Sequence, residues 1–115
     1  MSVEIYHNPR CSKSRQTLQL LQDQGVEPEV VEYLKTPPDK ATLKRILKML
    51  GLEPRALMRT KEAEYKEQGL DDPGLSDDRL IAAMVATPKL IERPIVTKGA
   101  KVALGRPPEN VLEIL

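Results

Sequence analysis

The chain has 115 residues, sets 18 Lys and Arg against 17 Asp and Glu, and carries one Cys, one His and three Tyr with no Phe or Trp. The near-neutral balance argues against a polybasic nucleic-acid binder, and the shortage of aromatic platforms argues against single-strand binding. No apolar run approaches the roughly 20 residues of a membrane span, and a single cysteine excludes an intrachain disulfide, so the expected compartment is the reducing cytoplasm.

A chain of this size fits one domain and buries enough surface to fold without a disulfide. Val3 to His7, short and β-branched, predicts a strand. Residues 11 to 24 predict a helix with Leu18, Leu20 and Leu21 turned inward, closed by Gly25. Glu29 to Leu34 predicts a second strand, stopped by Thr36-Pro37-Pro38. Asp39 is the expected cap of a helix carrying Leu43, Ile46, Leu47 and Leu50 at helical spacing, with Gly51 at its end. Residues 54 to 68 read as short helices and Asp71-Asp72-Pro73-Gly74 as a turn. Ser76, followed by Asp77 and Asp78, opens a helix that bears Leu80, Ile81, Met84 and Val85 and ends before Pro88. Ile95 to Thr97 and Val102 to Leu104 predict a hairpin around Lys98-Gly99-Ala100, and a short helix spans Pro108 to Leu115.

The order is β-α-β, a helical insert at about 39–90, then β-β-α, within one domain covering 1–115. A strand–helix–strand start implies a parallel pair with a right-handed crossover, and the terminal hairpin adds an antiparallel part. The fold class is therefore α/β, a thioredoxin-like four-stranded mixed sheet with flanking helices.

The only cysteine lies in the stretch HNPRCSKSR, residues 7 to 15, between the first strand and the first helix. A lone cysteine is most often a small buried hydrophobe, but this one has Arg10, Ser12 and Lys13 as neighbours. A helix N-terminus offers unpaired N–H groups and partial positive charge, which favour a thiolate and attract oxyanions. Cys11 is thus a candidate nucleophile inside an anion cradle, with Arg10, Lys13 and Arg15 as candidate sources of charge. His7 is expected either to tune the thiolate through Asn8 or Ser14 or to make a structural hydrogen bond. One Cys and one His lack the partners a zinc site needs, so no metal is expected.

HNPRCSKSRQTL resembles the active-site loop of the glutaredoxin-coupled arsenate reductases, whose pattern is H-N-P-x-C-G-T-S-R-N-T-L. His7, Asn8, Pro9, Cys11, Ser14, Arg15, Thr17 and Leu18 match, while Ser12 and Lys13 replace the usual Gly-Thr. Leu57-Met58-Arg59, Glu92-Arg93-Pro94-Ile95-Val96 and Gly105-Arg106-Pro107 resemble three further segments in the family's order. The resemblance implies that Arg59, Arg93 and Arg106 gather with Arg15 around Cys11 to bind a tetrahedral oxyanion, a geometry that forked guanidinium donors suit. It also implies a cis bond before Pro94, facing the cysteine. Arg106, also before a proline, is expected to be extended.

Cys11-Ser12-Lys13-Ser14 has a serine where a thioredoxin has its resolving thiol. Ser14 is expected to donate a hydrogen bond to the thiolate, yet it cannot carry electrons, so the reductant must come from outside. By resemblance that reductant is glutathione, a co-substrate rather than a bound cofactor, with glutaredoxin as the partner that regenerates the enzyme. Glu62 and Glu64 read as solvated helix faces. Two other readings remain beside arsenate reduction: a glutathione-linked thiol oxidoreductase of another substrate, and a non-enzymatic partner-binding relative. A low-molecular-weight phosphatase is disfavoured because only three residues separate Cys11 from Arg15.

Overall fold

The computed structural model describes residues 2–115, which divide into two compact units, one running to Thr36 and resuming at Arg93–Leu115, the other Pro37–Glu92. The first unit holds the sheet. Strand β1 (Val3–Tyr6) pairs in parallel with β2 (Glu29–Val31) and antiparallel with β3 (Ile95–Lys98), which pairs antiparallel with β4 (Lys101–Leu104). The order β2-β1-β3-β4, with helix α1 (Ser12–Asp23) crossing between the parallel strands, is the thioredoxin-like plan. The expected hairpin is present and tighter than the sequence indicates. Its loop is Gly99-Ala100 alone, and Gly99 takes the left-handed conformation that a two-residue connection favours at its first position.

Alternation decides which side of the sheet is filled. Val3, Ile5 and Val96 pack with Leu21 of α1 and with Val111 and Ile114 of the C-terminal segment to form the core of this unit. Pro108–Ile114 is a 3-10 helix. Helix α1 buries Ser14, Thr17 and Leu21, an i, i+3, i+7 stripe whose upper two positions are polar. Buried hydroxyls need partners. Thr17 Oγ1 donates to the Lys13 carbonyl at 2.8 Å, and Ser14 Oγ accepts the Asn8 N–H at 3.0 Å.

The second strand is shorter than expected. Its pairing ends at Tyr6↔Val31, and Glu32 to Thr36 turn back on themselves, with the Lys35 and Thr36 N–H groups donating to the Glu32 carbonyl. Tyr33, in this turn, is buried to 1 % exposure between exposed Glu32 and Leu34. The sequence pattern predicted Glu29 to Leu34 as one strand; the paired strand is Glu29–Val31, and the turn bonds to the Glu32 carbonyl end it there.

The second unit is helical: α2 (Lys40–Leu50), α3 (Ala63–Glu67) and α4 (Asp77–Ala86), with 3-10 turns at Pro54–Leu57 and Pro88–Leu90. The expected caps form. Asp39 accepts the Thr42 N–H at 2.8 Å, Ser76 accepts the Arg79 N–H at 3.2 Å, and α2 ends on left-handed Gly51. Leu43, Ile46 and Leu47 of α2, and Leu80, Ile81, Ala83 and Met84 of α4, are buried. An isolated bridge, Met58↔Ile91, joins the segments that carry Arg59 and Glu92, with Arg59 N–H donating to Leu90 O and Glu92 N–H to Leu57 O, both at 2.7 Å. Among the described residues no helix is long and apolar enough to cross a membrane.

Gly105 is closely packed. A Cβ there would sit 2.6 Å from Thr17 Oγ1 and 2.7 Å from Pro94 Cγ. Its N–H donates to the Pro94 carbonyl at 2.9 Å. The chain can only pass between α1 and Pro94 without a side chain at this position. Gly105→Ala is expected to destabilise the fold by about 1–3 kcal/mol through overpacking, read as a lower midpoint in urea unfolding; an unchanged midpoint contradicts this packing.

Candidate active site

Cys11 is the N-cap residue of α1, with extended backbone angles and 8 % exposure. The N-cap position normally carries a side-chain oxygen that accepts an N–H of the first turn. The neutral thiol makes no such standard bond. The thiolate is different. Burial, the largest single influence, raises the thiol pKa, but it is outweighed by the Ser14 N–H, the charge of Arg93, the Lys13 N–H and a hydrogen bond from the Arg93 side chain, and the net effect is a lowered pKa. The cation acting on the sulfur is Arg93, as the resemblance implied; the expectation that Arg10, Lys13 or Arg15 side chains supply the charge needs correction, and Lys13 acts through its backbone. Ser14 likewise acts through its backbone N–H. Its hydroxyl is committed elsewhere, to the Asn8 N–H and to His7 Nδ1 at 2.7 Å.

His7 is 6 % exposed, and its N–H extends the β1–β2 ladder by donating to Val31 O at 2.8 Å. Desolvation is the main influence on its ring and lowers its pKa; Glu32 opposes this and Arg15 adds to it. The imidazole is therefore held neutral at pH 7, as a hydrogen-bond partner for Ser14. The loop between them is braced three times: Cys11 N–H to Asn8 O, Arg10 N–H to Asn8 Oδ1, and Arg15 Nη1–H to Pro9 O at 2.9 Å. Arg15 is exposed and its guanidinium is turned to that carbonyl.

The Arg93–Pro94 bond is cis, and so is Arg106–Pro107, which the sequence pattern did not single out. Arg93 is buried to 8 % exposure beside the sulfur. Arg106 is exposed, and its Nε–H donates to the Arg93 carbonyl at 2.8 Å, so the two arginines are tied through one backbone oxygen. Asn110 Nδ2 in turn donates to Arg106 O at 3.1 Å. Gly105 sets this arrangement, because it brings the end of β4 onto Pro94.

Arg59 belongs to the second unit. There its Nη1 lies 2.8 Å from Glu62 Oε1; Lys89 lies 3.5 Å from the other Glu62 oxygen and 2.7 Å from Glu64. Glu62 and Glu64 are thus members of an ion-pair chain rather than solvated faces. Their spacing from Arg59, three and five residues on, was visible in the sequence; the Lys89 partner was not.

The structure therefore gathers Cys11, His7, Asn8, Ser14, Arg93, Pro94 and Arg106 in the first unit and holds Arg59 in an ion pair of the second. The assembly presents a buried sulfur primed for ionisation, beside a guanidinium and a helix N-terminus: a nucleophile and an anion site at one place. Among the described residues no cluster of three His, Cys, Asp or Glu forms a metal-binding group.

Comparison with known proteins points the same way. The ArsC family matches residues 6–114. An arsenate reductase from Neisseria meningitidis is 52 % identical over 114 residues, covering 98 % of this chain and 97 % of that protein. An uncharacterized Escherichia coli protein, YfgD, is 62 % identical over 114 residues, covering 98 % and 96 %. A solved structure of an arsenate reductase from Vibrio cholerae is 60 % identical and covers 100 % of this chain and 98 % of its own, with a TM-score of 0.97.

Removing the Arg93 guanidinium should expose its effect on the sulfur. In Arg93→Ala the pH midpoint of Cys11 alkylation by iodoacetamide is expected to rise, because a charge and a donor that favour the thiolate are lost while the burial that opposes it is reduced only in part. An unchanged midpoint would leave the helix terminus as the sole cause of acidity.

Proposed function

Because the chain belongs to the ArsC family, we propose that it reduces arsenate to arsenite, with Cys11 as its one essential thiol and glutathione and glutaredoxin as the external reductants. The observation that carries this reading is the contact between the buried Arg93 guanidinium and the Cys11 sulfur, at the N-terminus of α1. A thiolate held by a cation and by helix amides is a nucleophile at neutral pH, and the groups that hold it are donors for an incoming oxyanion.

In the proposed cycle arsenate takes hydrogen bonds from Arg93 and Arg106. Arg59 and Arg15 are kept as proposed ligands by the resemblance of their segments. The Cys11 thiolate attacks arsenic, and an arsenic-bound oxygen leaves as water after taking up protons. Glutathione sulfur then displaces a second oxygen as water. Two electrons pass from the two sulfurs to arsenic(V) as the sulfurs join, leaving Cys11 in a disulfide with glutathione, and the arsenic(III) product takes up one water to leave as arsenite. Glutaredoxin reduces that disulfide. The chain has no second cysteine to do so, and Ser14 stands at the resolving position with its hydroxyl bound to His7 and Asn8. A supporting role for His7, Asn8, Ser14 and Pro94 follows from the same geometry. They fix the loop and the Arg93 segment, and none is required to carry a proton. The reaction is expected where thiols stay reduced, which fits a cytoplasmic enzyme.

The test is arsenite formed by purified, reduced protein with arsenate, glutathione and glutaredoxin. Cys11→Ser is expected to abolish turnover. Arg93→Ala is expected to lower it by roughly thirty- to a thousandfold if it behaves as a single lost oxyanion donor of ~2–4 kcal/mol. Lys13→Thr should change it far less. A reactive Cys11 in a protein that forms no arsenite would instead favour glutathione-linked chemistry on another substrate.

A further inference from the structure

A cavity of about 330 Å³ lies in the first unit, with Asn8, Pro9 and Arg10 on one wall and Glu32, Leu34 and Lys35 on another. It exists because β2 stops at Val31 and the chain turns back, which sets Glu32, Leu34 and Lys35 opposite the loop that leads into Cys11. Its volume is in the lower part of the range for small-molecule sites.

We propose that this cavity binds the thiol co-substrate, a tripeptide of glutathione's chemistry with two carboxylates, one ammonium and a central thiol. The proposal rests on the external-thiol reading above and adds a place and a chemistry to it. The charges are complementary in number and sign. The cavity offers two cations, Arg10 and Lys35, and one anion, Glu32, against the ligand's two anions and one cation. Lys35 and Glu32 are 3.8 Å apart and largely exposed, at 79 % and 45 %, so their own pairing is weak and yields readily to a ligand. Leu34 is 42 % exposed, among the few large apolar side chains left open, and it lines the same cavity. It supplies a surface for the methylenes of the γ-glutamyl arm.

The cavity adjoins the active-site loop. Arg10, a lining residue, directly precedes Cys11, and the Cys11 N–H donates to the carbonyl of Asn8, another lining residue, at 3.0 Å. A three-residue chain spans at most about 10 Å. The proposal therefore places the ligand's charged ends in the cavity and its thiol toward the end of the lining loop that carries Cys11.

Thiol–disulfide exchange tests this without arsenate. The Cys11 thiolate attacks one sulfur of glutathione disulfide; the Cys11–glutathione bond forms, and the second glutathione leaves as its thiolate, with no outside oxidant. The rate is compared with that for hydroxyethyl disulfide, which is uncharged. Intrinsic differences between the two disulfides cancel when the ratio is compared between wild type and variant. Lys35→Glu, at a highly exposed position, is expected to lower the glutathione-to-hydroxyethyl ratio about five- to twentyfold, and Arg10→Gln about two- to fivefold. Lys101→Glu, on the exposed hairpin of β4 and outside the cavity, makes the same change in net charge and is expected to leave the ratio as it is. An unchanged ratio in Lys35→Glu, or an equal fall in Lys101→Glu, overturns the proposal. Absence of arsenite formation with these results intact would reject the arsenate reading and leave the thiol site standing.

Discussion

A guanidinium taken out of water needs a partner, and so does a sulfur that is to ionise inside a protein. In this chain the two needs meet. Arg93 and Cys11 are each 8 % exposed, and the charge and hydrogen bond of the one lower the pKa of the other. Burial opposes the thiolate more strongly than any single favourable influence. It is the sum of two backbone amides and one arginine that reverses it. Much of the first unit can be understood as what is required to hold those groups in register.

The requirement reaches far along the chain. The amides are delivered by α1, whose inward stripe begins with two hydroxyl residues rather than two leucines. Ser14 ties the helix to the end of β1 through Asn8 and His7, and Thr17 satisfies its own hydroxyl within the helix. Arg93 is delivered at the start of β3, next to β1 in the sheet. Gly105 lets the end of β4 close on Pro94 and Thr17, and from there Arg106 bonds to the carbonyl of Arg93. Burial lowers the pKa of His7, and its ring is paired with the Ser14 hydroxyl. The cavity beside the loop arises where β2 ends early at Val31 and the chain turns back.

Much of this was legible in the residues. Helix caps at Asp39 and Ser76, the end at Gly51 and the tight loop at Gly99 were local signals, and local chemistry decided them. The position of Cys11 between strand and helix, with cationic neighbours, pointed to a thiolate. Local sequence alone offered Arg10, Lys13 and Arg15 as the cation; Arg93, close in space and not in sequence, was reached only through the resemblance of the Glu92–Val96 segment. Arg15 shows the difference well: its fork serves the Pro9 carbonyl. The turn at 32–36 was missed because Val31 and Tyr33 keep a strand-like alternation of burial through it, and the bonds to the Glu32 carbonyl leave no mark on periodicity. The Arg59–Glu62 pair is local, whereas Lys89 lies 27 positions from Glu62 and only the fold brings those two together.

The most direct test of the central claim observes the sulfur itself. The ultraviolet absorbance of the Cys11 thiolate, taken as the difference between wild type and Cys11→Ser across a pH series, reports its ionisation with no added reagent. The account requires a transition clearly below the free-thiol value of roughly 8.5, with thiolate present at neutral pH. A transition at or above that value would contradict it.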